Sequence, residues 1–351
     1  MASILDSLPH EGAVFAGRTG AIPLPDGRFL LVEPGSARIV SSVSEPPDNR
    51  VPAPDGDLPV RRPSYMADPF PSPVATEESE GEGSWRKRLN QIWPRRNDPD
   101  DYVRQDPYTG ALIRVAQALR NAAPKTPVAL SYRLTFGDPN VPEVAYQLKK
   151  AIQGIADATQ MFQLPVVAGD LTTRADKDLH PQVEMSAHTA NAATFSSSQA
   201  GCQTLKEGEV IALVGRMTND LSGSLYAGTS ATFPPPIDLI AEGRVLEVVQ
   251  QIGQAAPLGR GGLLVTLARC CACARLGARV TLPAAWHSLP PAAILFGEAQ
   301  SRFLAFLPDD QVPELQQFAE PLQVPVETLG TIGGRELTVE GLITANLEEL
   351  H

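Results

Sequence analysis

From Asp106 to Leu329 the sequence alternates short strand-like apolar runs with longer runs at helical spacing, and few architectures accept that order. Leu112, Val115, Ala116 and Leu119 mark a first helix ending before Pro124. Val128–Tyr132 alternates as a strand, Pro142–Phe162 is a long amphipathic helix, Leu164–Asp170 is a buried strand ending in a glycine turn, and Gln182–Ala190 alternates again. A sheet with helices on one face buries every apolar face of such a pattern. Past the polar linker Ser196–Gly201, a second unit reads as strand Val210–Val214, helices Asp238–Ile252 and Gly262–Leu276, strand Arg302–Leu307, helix Val312–Phe318 and strand Val324–Leu329. The expected fold class is therefore α/β (α+β) with two domains, 12–200 and 205–345, and no internal repeat.

Residues 41–100 have another character. Eleven of the 33 prolines and the acidic run Glu77–Glu82 fall there. Such a stretch buries too little apolar surface to offset its ordering entropy, so a mostly disordered insertion is expected. Ahead of it, Gly20–Glu33 reads as two strands around the Asp26-Gly27 turn. Within it, Trp85, Leu89, Ile92 and Trp93 recur at i, i+4, i+7 and i+8 beside basic residues, which makes one apolar helical face. Two readings stand: a helix over 85–96 that docks on a protein partner or an anionic surface, or a turn packed on its own domain.

Composition excludes several classes. A formal charge of −11 over 351 residues argues against nucleic acid as principal partner. No run approaches the ~18 apolar residues of a membrane span, and the N-terminus lacks a secretory pattern, so a cytoplasmic protein is expected. Cys202, Cys270, Cys271 and Cys273 are spaced poorly for disulfides or zinc and read as small buried apolar residues. The five histidines are scattered, and no Ser/His/Asp or Cys/His nucleophile arrangement stands out.

Six stretches carry a resemblance: Asp106-Pro-Tyr-Thr-Gly-Ala111, Thr135-Phe-Gly-Asp-Pro-Asn-Val-Pro-Glu143, Leu164-Pro-Val-Val-Ala-Gly-Asp170, Gly208–Arg216 leading to Leu221-Ser-Gly-Ser224, Gly261–Ala268, and Leu295-Phe-Gly-Glu-Ala-Gln-Ser-Arg-Phe303. In this order they resemble the second half of phosphoribosylformylglycinamidine synthase, of the aminoimidazole-ribonucleotide-synthetase superfamily. The resemblance implies an N-terminal domain whose strands complete a barrel with a second copy, beside a C-terminal α/β domain. It implies a homodimer or a second synthetase-like subunit, and ATP or ADP as ligand. Nothing resembles the first half of that enzyme or its glutamine-hydrolysing unit.

The same resemblance marks site positions. Its first helix carries a Glu and an Asn, four residues apart, that reach the metal of a bound nucleotide; here they are Gln117 and Asn121. Its His-Asp-x-Ser-Asp-Gly-Gly motif reads Ala256-Pro-Leu-Gly-Arg-Gly-Gly262, with Arg260 where a metal-binding carboxylate is expected. Magnesium prefers oxygen anions, so a cation there argues against the family-type metal site. Arg260 with Gly261 and Gly262 is either a direct phosphate binder or a solvated arginine beside a close turn. Ser222, Gly223 and Ser224 are either a phosphate cradle or a polar turn. Asp106, Asp138 and Asp170 are placed at strand or helix ends, where ligands collect in α/β domains, which makes Asp106 and Asp170 candidate ligand-binding residues, with Asp106 equally suited to an N-cap; Glu298 and Arg302 read as a structural ion pair. The expectation is a protein that is non-catalytic alone, with a structural or regulatory role and weak or no nucleotide binding. The alternatives are a subunit of an ATP-dependent amidating ligase completed by a partner half, and an adaptor presenting the Trp85–Trp93 helix.

Overall fold

The computed structural model describes residues 20–23, 29–33, 36–40, 85, 87–89, 101–174, 181–190, 194–195, 205–227 and 233–349. Most of the expected insertion, the linker 196–201, Cys202, Ile92 and Trp93 lie outside these residues. The expected hairpin is present as β1 (Gly20–Pro23) antiparallel to β2 (Phe29–Glu33), and β3 (Ser36–Val40), which the sequence reading missed, adds a third antiparallel strand.

The first α/β layer is a four-stranded sheet in the order β5-β4-β6-β7, with β4 (Pro127–Phe136), β5 (Val166–Thr173), β6 (Gln182–Thr189) and β7 (Thr194–Phe195). Only β4–β5 is parallel, joined through the crossover helix α3 (Pro142–Met161); α1 (Asp101–Gln105) and α2 (Pro107–Ala122) precede the sheet. Strand β4 runs four residues past the expected Tyr132 because its alternation continues: Leu130, Tyr132, Leu134 and Phe136 all join the core beneath α2 and α3. The other face carries Ser131, Arg133 and Thr135. Gly169 pairs with Tyr132, and a Cβ there would stand 2.1 Å from the Tyr132 ring, so any side chain at this position would force the ring to move.

The second layer is a seven-stranded sheet in the order β14-β13-β10-β12-β8-β11-β9. Its strands are β8 (Val210–Val214), β9 (Ala255–Pro257), β10 (Ala278–Val280), β11 (Phe303–Leu307), β12 (Val326–Ile332), β13 (Glu336–Val339) and β14 (Ile343–Asn346). The helices are α4 (Leu239–Val249), α5 (Gly262–Ala274), α6 (Pro291–Phe296) and α7 (Val312–Ala319). Strand β8 is buried on both faces and divides two cores by the period-two rule. Val210, Ala212 and Val214 join a cluster with α2, α3, α4 and α7 that crosses the domain boundary; Ile211 and Leu213 join the one formed by α5 and α6. Along β11, Phe303, Ala305 and Leu307 alternate with Leu304 and Phe306 in the same way.

Three sequence expectations change here. Trp85 and Leu89 are helical and buried in the α5–α6 core, so this part of the expected docking face is spent on the chain's own C-terminal domain. Cys270 and Cys271 are buried but Cys273, on the outer side of α5, is exposed. The outer strands β9, β10, β13 and β14 escaped the sequence reading because each is only three or four residues long. Among the described residues no helix is long and apolar enough to cross a membrane.

Two outcomes are expected. Leu213→Ala removes a fully buried side chain between two layers and should lower stability by about 2–5 kcal/mol in urea denaturation, whereas exposed Arg133→Ala should stay within about 0.5 kcal/mol. His188 on β6, its Nε2 2.8 Å from Ser131 Oγ, has its pKa lowered by burial. The fold therefore favours the neutral ring: this contribution is present above the unfolded value of 6.5 and is lost as pH falls through the folded value. Melting temperature measured across that range should fall less for His188→Gln than for the wild type.

Candidate functional site

The sequence Gly259-Arg-Gly-Gly262 turns the chain into α5, with Gly261 at φ +86° and Gly262 at φ +68°. A Cβ on Gly262 would stand 2.6 Å from the Gly297 carbonyl oxygen, so glycine is what lets the segment after α6 lie against the start of α5. That approach sets the carboxylate of Glu298 on the helix N-terminus. Its Oε1 accepts from the Gly261 N–H at 2.8 Å and from the Leu225 N–H at 2.7 Å; its Oε2 accepts from Tyr102 Oη at 2.5 Å and Arg260 Nη1 at 3.1 Å.

Arg260 is thus not the solvated surface arginine that one of its two sequence readings expected. It is 7% exposed, paired with Glu298, and donates to the Gly223 carbonyl oxygen at 2.8 Å while its guanidinium lies 4.6 Å from the Tyr102 ring centroid. The N–H groups beside it are engaged as well, Gly261 by Glu298 and Gly262 by the Gly259 carbonyl at 3.0 Å. Burial and the Glu298 charge push the Tyr102 hydroxyl far above its usual range, so it stays a phenol and a donor.

The expected Glu298–Arg302 pair is corrected by the same geometry. Glu298 pairs with Arg260, and Arg302, fully buried, donates to the carbonyl oxygens of Gly297 at 2.7 Å and Ala299 at 3.0 Å. Burial lowers the Arg302 pKa to about 10, which leaves it charged at neutral pH. A second buried pair adjoins the first. Arg120 on α2 donates through Nη1 to Glu242 Oε2 on α4 at 3.0 Å and through Nη2 to Gln300 Oε1 at 2.5 Å; Ser301 Oγ donates to the same Glu242 oxygen at 2.6 Å, and Gln300 Nε2 to the Glu298 carbonyl at 2.8 Å.

The loop Leu221–Ser224 is a structured polar turn. Ser222 N–H donates to Asp220 Oδ1, and buried Ser224 donates through Oγ to the Leu221 carbonyl at 2.7 Å. Asp106 is the N-cap of α2, accepting from the N–H groups of Tyr108 and Thr109 and from Thr109 Oγ1. Gln117 accepts from Arg114 Nη1 at 3.2 Å, and Asn121, one turn on, is half-buried. Asp138 accepts from Asn140 in the turn before α3. Asp170 lies inside β5 rather than at its end, exposed and 3.9 Å from Arg133. The structure therefore gathers Ser222–Ser224 and Arg260–Gly262 around Glu298, and leaves Asp170 on the open sheet face.

Tyr102, Arg120 and Glu242 escaped the sequence reading. The available signal was a charge inside an apolar run: Arg120 follows Leu119, and Glu242 sits in Leu239–Val249. For a hard divalent cation the donor set does not fit. The two positions where the family pattern has carboxylates hold a neutral amide bonded to Arg114 and a guanidinium, and among the described residues no group of three or more His, Cys, Asp or Glu could hold a metal ion.

Comparison with known proteins agrees with this architecture. Residues 98–189 match the family model of the AIR synthase related protein N-terminal domain, and residues 206–341 that of the C-terminal domain. The phosphoribosylformylglycinamidine synthase subunit PurL of Anaeromyxobacter dehalogenans is 31% identical over 279 residues, covering 70% of this chain and 35% of the relative. The chain thus spans about a third of the length of such curated relatives. Among solved structures, Thermotoga maritima PurL complexed with ADP superposes with a TM-score of 0.56 at 21% identity, covering 70% of this chain and 41% of that one. The E. coli hydrogenase maturation protein HypE superposes at 0.51 and 14% identity, covering 69% of this chain and 82% of that one. Two matched domains in the right order, on the folds just described, show that the chain belongs to the AIR synthase related family.

Proposed function

We propose that this chain is a PurL-like half of a purine-biosynthetic synthetase assembly that is non-catalytic by itself and acts as a structural or regulatory component in the cytoplasm. One observation carries the reading: at the position where the family pattern has a metal-binding carboxylate, a buried guanidinium is already neutralised by Glu298. A divalent cation brought beside Arg260 would meet repulsion in a poorly solvated place. Magnesium-dependent nucleotide binding is therefore not part of the proposal; any ATP or ADP held at Gln117, Asn121 and the 222–224 and 260–262 turns would be held weakly and without metal. A match to only about a third of the relatives' length supports completion by a second copy of this chain or by another synthetase-like subunit.

A second reading has a specific observation in its favour. The PurL structures that resemble this one include complexes with ADP and with ATP, which supports a nucleotide-using role as one subunit of an amidating ligase whose other half supplies the catalytic groups.

Calorimetric titration with ATP and ADP, each with and without Mg²⁺, separates the two. The first reading expects no magnesium-dependent heat from the chain alone; magnesium-dependent binding by the wild type would overturn it in favour of the second. Arg260→Asp should lower stability by about 3–5 kcal/mol, because it breaks a buried pair and sets two carboxylates together. In the double variant Gln117→Glu/Arg260→Asp, Mg²⁺ with ADP should recover part of the lost melting temperature, and the wild type should show no such shift. Sedimentation of the purified chain is expected to give twice 37.5 kDa for self-assembly; a single-chain mass would leave the second synthetase-like subunit as the partner.

A further inference from the structure

We infer that the turn carrying Trp85, Arg88 and Leu89 is a resident latch that holds the Leu221–Ala227 loop closed on the Arg260–Glu298 pair. The inference goes beyond the function proposed above and does not depend on which ligand, if any, the site takes. These residues precede both matched domain ranges, which begin at 98 and 206. Trp85 and Leu89 are nevertheless buried, in one apolar cluster with Leu221, Phe296 and Trp286.

Its contacts fall on one mechanical line. The Trp85 ring centroid is 6.2 Å from that of Phe296, and Tyr226 stacks on the same Phe296 at 5.3 Å with 17° between planes. The Arg88 guanidinium lies 5.3 Å from the Tyr226 ring centroid, a cation–π distance. Phe296 and Tyr226 are each close in sequence to a group of the ionic cluster. Two residues after Phe296 stands Glu298, and one residue before Tyr226 stands Leu225, whose N–H donates to Glu298. Arg260 in turn holds the Gly223 carbonyl of the same loop. The loop is thus held both by the ion pair and by the turn, and the two attachments share residues 296–298.

The two amides bonded to Glu298 report the state of the latch. In the full chain, Trp85→Ala/Leu89→Ala should speed hydrogen exchange at Leu225 and Gly261 by about tenfold or more, with the amides of Ala212 in β8 and Ala305 in β11 unchanged. Arg88→Ala, which leaves the apolar core intact, should speed the same two amides by about twofold. Wild-type exchange at Leu225 and Gly261 in both variants would overturn the inference. So would equal acceleration at Ala212 and Ala305, since the turn would then be an ordinary core element.

Discussion

Glu298 accepts from four donors drawn from three parts of the chain, two on each carboxylate oxygen. A buried carboxylate is costly unless its lone pairs are met, and here a phenol, a guanidinium and two backbone N–H groups meet them. The rest of the boundary between the domains follows from that requirement. Tyr102 must come from α1, which fixes how the first layer sits on the second; Leu225 must come from the loop after β8; Gly261 must offer its N–H at the start of α5. The turn at Gly262 then has to admit the Gly297 carbonyl at a distance that excludes any Cβ.

The charge at position 260 follows from the same constraint. With Glu298 already on the α5 N-terminus, a second carboxylate at 260 would put two anions within a few ångströms in a poorly solvated site, tolerable only with a cation between them. A guanidinium supplies that positive charge from the chain itself, and its planar fork also reaches the Gly223 carbonyl and the face of Tyr102. The Arg120–Glu242 pair repeats this arrangement one segment away, tying α2 to α4 through Gln300 and Ser301. Pairs of this kind add little net stability over apolar packing, but breaking one leaves an unmatched charge, so they specify a single docking of the two layers.

The α/β alternation made the large elements legible, because periods of two and 3.6 residues survive in any environment. Val210–Val214 is found with its expected bounds, and α3, α5 and α7 lie within a residue or two of theirs. The resemblance located the turns at 222–224 and 260–262 around one site. It could not say which acid Arg260 meets, because Glu298 lies thirty-eight positions later and the pairing is made only by the fold. The local reading of Glu298 with Arg302 failed for the opposite reason. Four residues apart, they suggest a helical pair, but the chain between α6 and β11 is irregular, with Ser301 at φ +60°, and Arg302 turns back onto backbone carbonyls instead.

The four-stranded sheet carries the remaining asymmetry. On the face toward α2 and α3 it presents Leu130, Tyr132, Leu134, Val183 and Ala187, all buried. Its other face presents Arg133, Asp170 and Glu184 with roughly two thirds of each side chain in solvent, held only by ion pairs at 3.4 and 3.9 Å. Exposed pairs at such distances contribute little, so stability does not account for a row of charges across three neighbouring strands. Opposite charges in fixed register across the sheet instead keep this face polar and order its side chains. Arg133 stands between Asp170 and Glu184 in the strand register, so this face offers one cation flanked by two anions.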